Sequence, residues 1–350
     1  MSTVAIRRAV ERMRPYHPPL EGRTDKLRMD FNENPIGCSP AVRRALVKLA
    51  TASISAYPEQ AVIRRKAARH FGVRPEELLL TNGTDEALSL VVNTFVESGD
   101  RVLLVEPTYA MYRFYSELAG ARVVAPRYDR DMRFPWDAVM SELKERPRVF
   151  FLPNPSSPTG SLLSRPDLGR LLEAAVRTLV VIDEAYFEFS RVTVIGWIRQ
   201  YKNLIVTRTF SKAAGLAGLR LGCLFVHREM AANLRKAQSP YPVNVAALAA
   251  ADAAMRDRRF IARTVREVRR GRQELERGLA RLGVKSFPSA GNFVLVYFGK
   301  RAKEIVAALG RKGVLLRDRS GDFGGEGYVR ITFGTVNQTR RLVRELENIL

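Results

Sequence analysis

With 350 residues, 46% of them hydrophobic and 27% charged, the chain is too long for one minimal core and has the balance of a globular protein with one large and one smaller domain. No apolar run approaches the ~20 residues of a membrane span, and the arginine-bearing N-terminus has no apolar signal core, so a membrane protein and a secreted one are both unexpected. The net charge of +22, from 58 basic and 36 acidic residues, implies an anionic ligand on a solvated, arginine-rich surface; no nucleic-acid motif and no like-charged tail accompanies it.

Taken in order, residues 1–35 read as a basic helical start, a proline-rich turn over 14–19 and a short strand over 26–31. Asn32-Glu33-Asn34-Pro35-Ile36-Gly37 is a polar turn. Ser39 caps a helix opened by Pro40 and running to about 50; after a loop over 55–58 a second helix ends at Phe71. Strands then alternate with helices: strand 78–80, helix 84–97, strand 101–105, helix 108–119, and strands at 121–125, 148–152, 179–182 and 204–206, with a helix at 165–176. Several of these strands are unbroken apolar runs, as expected where both faces are covered. The alternation predicts an α/β doubly wound, mainly parallel sheet, with ligands at the carboxyl ends of its strands. After Asn244 a long Ala/Arg/Glu-rich helical region runs to 282. Strands at 293–297, 314–317 and 328–333 and helices at 302–312 and 337–350 follow. The expected division is an arm over 1–35, a large domain over 36–245 and a smaller α+β domain over 246–350, to which the arm returns. The arginine-dense stretch 256–281 reads as a solvated helix face, because glutamates interleave at helical spacing. Cys38 and Cys223 stand far apart and outside any metal spacing, which fits reduced thiols in the cytoplasm.

Polar clusters follow the predicted strands. Thr81-Asn82-Gly83-Thr84-Asp85-Glu86 combines a tight turn with a helix start whose free N–H groups could take an anion, although many ordinary caps look the same. Glu106-Pro107-Thr108-Tyr109 offers an aromatic ring for a flat ligand, or an ordinary packed tyrosine. Pro153-Asn154-Pro155-Ser156-Ser157-Pro158-Thr159-Gly160 is a rigid polar turn. Asp183-Glu184-Ala185-Tyr186 places an acid at a buried strand end, which is costly unless paired; a protonated ring nitrogen or backbone amides would serve. Last comes the run from Thr207 to Gly222, with Thr209, Ser211, Lys212 and Arg220. A partly desolvated amine in this Gly/Ala/Leu-rich setting can attack a carbonyl and form a Schiff base. Hydroxyls and an arginine beside it suit a phosphate. Alone, Lys212 reads as a solvated loop lysine and Arg220 as half of a surface ion pair. Lysine, phosphate donors, stacking ring and buried acid together describe pyridoxal phosphate.

In their order these motifs, from Asn32-Glu33-Asn34-Pro35 to Val329-Arg330-Ile331-Thr332-Phe333-Gly334-Thr335, resemble the fold-type-I aminotransferases and, within them, the histidinol-phosphate aminotransferase family. The resemblance spans essentially the whole chain. It implies that Lys212 carries the cofactor and shuttles a proton, that Asp183 pairs with the pyridine nitrogen, and that Tyr186 hydrogen-bonds the phenolic oxygen. It implies that Tyr109 stacks on the ring and that Gly83, Thr84, Asp85, Thr209, Ser211 and Arg220 surround the phosphate. Tyr57 is expected to reach the phosphate of a neighbouring subunit, which implies a homodimer with shared sites. Tyr16, Asn34, Arg317 and Arg330 are implied on the substrate side, the two arginines for its anionic groups. Ser157 is implied on the cofactor side too but departs from the pattern, since the family usually has Asn there against the phenolic oxygen; serine can still donate a hydrogen bond, from a shorter side chain. The expected reaction is amino transfer from L-histidinol phosphate to a 2-oxo acid, 2-oxoglutarate. The alternatives are an aminotransferase for aromatic or other amino acids, a phosphoamino-acid decarboxylase, and a basic nucleic-acid-binding protein on the same fold.

Overall fold

The computed structural model describes residues 4–16, 18–325 and 327–350. Its strands, in chain order, are β1 (Leu27–Arg28), β2 (Leu78–Thr81), β3 (Arg101–Leu103), β4 (Arg122–Val124), β5 (Val149–Pro153), β6 (Leu179–Asp183) and β7 (Leu204–Thr209). They continue with β8 (Gly222–Val226), β9 (Lys285–Phe287), β10 (Phe293–Tyr297), β11 (Val314–Leu315), β12 (Arg317–Asp318) and β13 (Tyr328–Thr332). Among the described residues, seven form one sheet in the order β2-β8-β7-β6-β5-β3-β4. All run parallel except β8, which pairs antiparallel with both β2 and β7.

The unbroken apolar runs arise because successive residues of each strand enter different cores. Phe150, Leu152, Val180, Ile182 and Val206 face one apolar layer, with the helices Gln60–Phe71, Arg165–Ala174 and Val245–Arg256. Their neighbours Val149, Phe151, Val181 and Ile205 face the other, with Gly83–Phe95 and Arg228–Ala237. Each leucine-sized side chain removed from water in this way contributes roughly 1.5–3 kcal/mol.

The C-terminal part is built on the antiparallel sheet β12-β13-β10-β9. The long helices Arg258–Arg281 and Val336–Glu347 cover it, and their apolar sides meet β10 and β13 in a third core. Met29 lies in that same core and its carbonyl accepts from Thr332 N on β13, while β1 pairs in parallel with β11 as a separate two-stranded sheet, so the N-terminal segment is bound to the C-terminal part.

Several expectations are revised. The apolar run at 314–317 is two strands, since β11 serves β1 while β12 pairs with β13. The helical region after Asn244 breaks at Asp257, whose side chain caps the second helix by accepting from Phe260 N. The helix opened by Ser39 and Pro40 stops at Val47, and Thr51–Ser55 is a separate short helix. β8, β9 and the helices Trp136–Lys144 and Arg228–Ala237 were not anticipated.

Candidate active site

The parallel strands deliver the candidate residues at their carboxyl ends. β6 ends on Asp183, which is only 4% exposed. Its Oδ2 accepts from the Tyr112 hydroxyl at 2.8 Å and its Oδ1 from the amide of Ala185 at 3.1 Å. Burial pushes the carboxyl up to about 6, while those hydrogen bonds hold it down. Thr207 lies opposite Asp183 in the β6–β7 register, and its hydroxyl adds to the hydrogen bonds that hold the Asp183 carboxyl down. The loop after β7 carries Lys212, whose Nζ donates to the Phe31 carbonyl at 3.0 Å and lies 5.8 Å from the centre of the Tyr186 ring. The Tyr186 hydroxyl accepts from Asn32 Nδ2 at 2.8 Å.

A second group gathers where the helix Gly83–Phe95 begins, directly after β2. Gly83 has a φ of +74°, and a Cβ there would lie 2.5 Å from Arg220 Nη2. Gly222 is as tightly placed, since its Cβ would stand 2.6 Å from the carbonyl carbon of Gly83. Thr209 pairs with Gly222 across β7 and β8, so the hydroxyl loop lies beside the helix start. The Thr209 hydroxyl is 2.9 Å from that of Ser211. Arg220 donates to Asp85 Oδ2 at 2.9 Å, and the Tyr109 hydroxyl donates to Asp85 Oδ1 at 2.7 Å. The Asp85 carboxylate is therefore the counter-ion that aims Arg220. Thr84 Oγ1 is buried and without a partner among the described residues. Backbone amides, hydroxyls and a guanidinium at one helix start make a ready anion cradle.

The third group comes from the C-terminal sheet. Arg317 and Arg330 are direct neighbours in the β12–β13 register. Arg330 Nη1 donates to Ser157 Oγ at 3.0 Å and its Nη2 to the Asp30 carbonyl at 2.6 Å. Burial first, and then the nearby charges of Arg319 and Arg317, push the Arg330 guanidinium down to about 10. Such a crowd of positive charge is a site for an anion. The Arg317 guanidinium lies 5.6 Å from the Phe31 ring centre, and Arg23 lies 4.1 Å from the same ring.

Three expected residues sit differently from the rest. Asn34 Nδ2 donates to the Ala213 carbonyl at 2.8 Å, and its Oδ1 accepts from Ile36 N, so this side chain braces the lysine loop. Tyr57 is 76% exposed and stacks on Tyr241 at 4.3 Å. Tyr16 is exposed and makes no hydrogen bond among the described residues. Asn154, near the divergent Ser157, bonds Leu163 through both amide atoms and cannot stand in for the missing Asn. Tyr112, Asn32, Thr207, Arg319 and Asp322 belong to the site but were not singled out. Arg319 is ion-paired with Asp322. Tyr112, three residues after Tyr109 on one helix face, was the one with a spacing signal.

A family model described as aminotransferase class I and II matches residues 24–346. Histidinol-phosphate aminotransferase of Symbiobacterium thermophilum is 39% identical over 99% of both chains. The crystal structure of histidinol-phosphate aminotransferase from Sinorhizobium meliloti in complex with pyridoxal-5'-phosphate superimposes with a TM-score of 0.89 at 27% identity, covering 100% of each chain. That of L-threonine-O-3-phosphate decarboxylase from Porphyromonas gingivalis gives 0.82 at 26% identity, covering 92% of this chain and 99% of that one. The chain belongs to the class I and II aminotransferases and, within them, to the histidinol-phosphate aminotransferase family.

Proposed function

We propose that the protein is a pyridoxal-phosphate-dependent aminotransferase that moves the amino group of L-histidinol phosphate to 2-oxoglutarate. The observation that carries the substrate is the register pair Arg317–Arg330, two adjacent guanidiniums beside Ser157 and Phe31. Planar forks of this kind bind a dianionic phosphate bidentately. The cofactor fits the remaining groups. The buried Thr84 Oγ1 has no partner among the described residues, and the cradle at Gly83 has no room for a side chain.

Pyridoxal phosphate, when bound, supplies an electron sink for the charge left as the substrate's Cα loses a proton. Lys212 would hold it covalently through Nζ, and the same amine, once displaced by the substrate's, would carry the proton from the substrate's Cα to the cofactor's C4′. Asp183 would face the pyridine nitrogen, where its buried carboxylate favours a protonated ring. Tyr186 would hydrogen-bond the phenolic oxygen, and Tyr109 would lie against the ring. Gly83, Thr84, Thr209, Ser211 and Arg220 would hold the phosphate, with Asp85 setting Arg220. Tyr16, Arg317 and Arg330 would take the substrate, and Asn34 would act by holding the lysine loop.

Tyr57 supports a homodimer, because an exposed tyrosine suits the phosphate of a second copy. We take the chain as an arm, a large domain and a small domain with the bounds expected from the sequence. No helix among the described residues is long and apolar enough to cross a membrane. A cytoplasmic setting accords with that and with two free cysteines, Cys38 and Cys223.

A phosphoamino-acid decarboxylase is the second reading, because Ser157 is bound to Arg330 where the family pattern has Asn against the cofactor. The test mixes the cofactor-loaded protein with histidinol phosphate, without acceptor, and follows the absorbance. Conversion to the pyridoxamine form is expected with histidinol phosphate and not with phenylalanine or phosphothreonine. Carbon dioxide release from phosphothreonine would establish the second reading instead.

A further inference from the structure

One short stretch of the N-terminal segment touches most of the site. The Asp30 carbonyl accepts from Arg330, the Phe31 carbonyl from Lys212, and Asn34 donates to Ala213 beside the lysine. Asn32 lies at its centre. It is 1% exposed and has a φ of +56°, a left-handed conformation that Asn tolerates better than most residues with side chains. Every polar atom of Asn32 is engaged. Its backbone N donates to Thr332 Oγ1 at 2.9 Å, and its carbonyl accepts from Asn292 Nδ2 at 3.0 Å. Its Oδ1 accepts from Thr332 Oγ1 at 3.2 Å, and its Nδ2 donates to Tyr186.

The amide is oriented accordingly. Thr332 Oγ1 accepts from the Asn32 backbone and gives its own proton to Oδ1, and Nδ2 faces Tyr186. The Tyr186 oxygen therefore acts as an acceptor towards Asn32. Among the described residues nothing takes the phenol's own proton, which is left for a ligand.

We propose that Asn32 is a positioning residue: it locks the Tyr186 hydroxyl so that its proton is given to the phenolic oxygen of bound pyridoxal phosphate. This rests on the cofactor reading above. Asn is the residue type that meets both demands. Gly would accept the backbone but has no amide. Asp would accept the backbone but would take the phenol's proton instead of donating one.

A proton given to the ionised phenolic oxygen competes with the proton of the lysine–cofactor linkage for that oxygen. Losing the gift makes the linkage hold its proton more tightly. The titratable groups around Tyr186 are Lys212, Asp183 three residues earlier, Tyr112 from the neighbouring helix and Arg330 from β13. None of them is altered in the test.

The experiment titrates the visible absorbance of the holoenzyme with pH for the wild type, Asn32→Gly, Asn32→Asp, Tyr186→Phe and the double variant Asn32→Gly/Tyr186→Phe. The midpoint is expected to rise by about half a pH unit or more in each Asn32 variant, as one lost hydrogen bond would give. It should rise in the same direction in Tyr186→Phe, and Asn32→Gly should add nothing on that background. A wild-type midpoint in Asn32→Gly, or a shift that persists undiminished without the phenol, would overturn the proposal. Should Asn32→Asp fail to fold, Asn32→Gly still decides. A wild-type protein that takes up no pyridoxal phosphate would overturn the functional reading itself, an outcome distinct from an unmoved midpoint.

Discussion

Arg330 donates to the Ser157 hydroxyl across 3.0 Å, tying the last strand of the C-terminal sheet to the loop that follows β5. The contact uses one arm of the guanidinium, and the Asp30 carbonyl uses another. Ser157 therefore sets the angle at which Arg330 meets an anion. We expect Ser157→Ala to raise KM for histidinol phosphate about tenfold while kcat stays within a few-fold, since a hydrogen bond to a charged group is worth about 1.5–3 kcal/mol. Steady-state kinetics checks this. A fall in kcat at unchanged KM would place Ser157 against the reacting atoms instead.

The buried carboxyl of Asp183 makes the cofactor-free protein sensitive to pH. Its folded value of about 6 lies above the ordinary 3.8. The folded state therefore binds the extra proton more tightly than the unfolded chain. The stability this gives is fully present below 3.8 and is lost as pH rises through 6, by about 3 kcal/mol in all. Asp183→Asn keeps the shape and removes the buried charge. The apoprotein of this variant is expected to resist urea better than the wild type at pH 8, and to lose that advantage at low pH. Its amino-transfer activity should fall by orders of magnitude. Equal urea midpoints for the two apoproteins at pH 8 would mean that the carboxylate is stabilised there by something other than the groups described.

Much of the fold could be read because strands such as Val149–Pro153 and Leu179–Asp183 are buried on both faces and show as unbroken apolar runs. The candidate site stands out in the sequence for a related reason. Polar residues such as Asp183 and Lys212 follow such runs directly, where solvation alone does not explain them. β8 was missed because Gly222 and Cys223 continue the glycine-rich lysine stretch, and because antiparallel insertion leaves no local mark. The break at Asp257 was missed because neither Gly nor Pro marks it, only a side-chain cap. The contact between Asn32 and Tyr186 joins positions 154 residues apart, and its meaning depends on Thr332, 300 residues from Asn32. No spacing rule reaches that far.

Arg317 is the cleanest test of substrate class. Its guanidinium lies near Phe31, and Arg23 occupies the same ring more closely, so removing Arg317 leaves that packing supported. Arg317→Ala is expected to raise KM for histidinol phosphate by about 10- to 100-fold, the loss of a bidentate charge-assisted contact. Arg317→Lys should recover only part of it, because an ammonium lacks the fork. Cofactor affinity should not change. Kinetics with histidinol phosphate, beside a fluorescence titration of the cofactor, checks both. An unchanged KM would remove Arg317 from the substrate's phosphate and favour a general amino-acid aminotransferase.

Gly83 tests the cradle through its backbone, without replacing a charged side chain. A Cβ there would lie 2.5 Å from Arg220 Nη2, and the φ of +74° is costly for any residue with a side chain. The conformational term alone is about 1–2 kcal/mol. The Arg220 guanidinium must also swing away, which loosens its 2.9 Å contact with Asp85. Gly83→Ala is therefore expected to weaken pyridoxal-phosphate binding at least tenfold, seen as cofactor lost on dialysis, with a modest fall in the melting temperature of the apoprotein. Arg220→Lys, which keeps the charge but shortens the reach and removes the fork, should weaken binding less. If Gly83→Ala retained full cofactor affinity while losing stability, the helix start would be a packing contact and the anion would be held by Thr209, Ser211 and Arg220 alone.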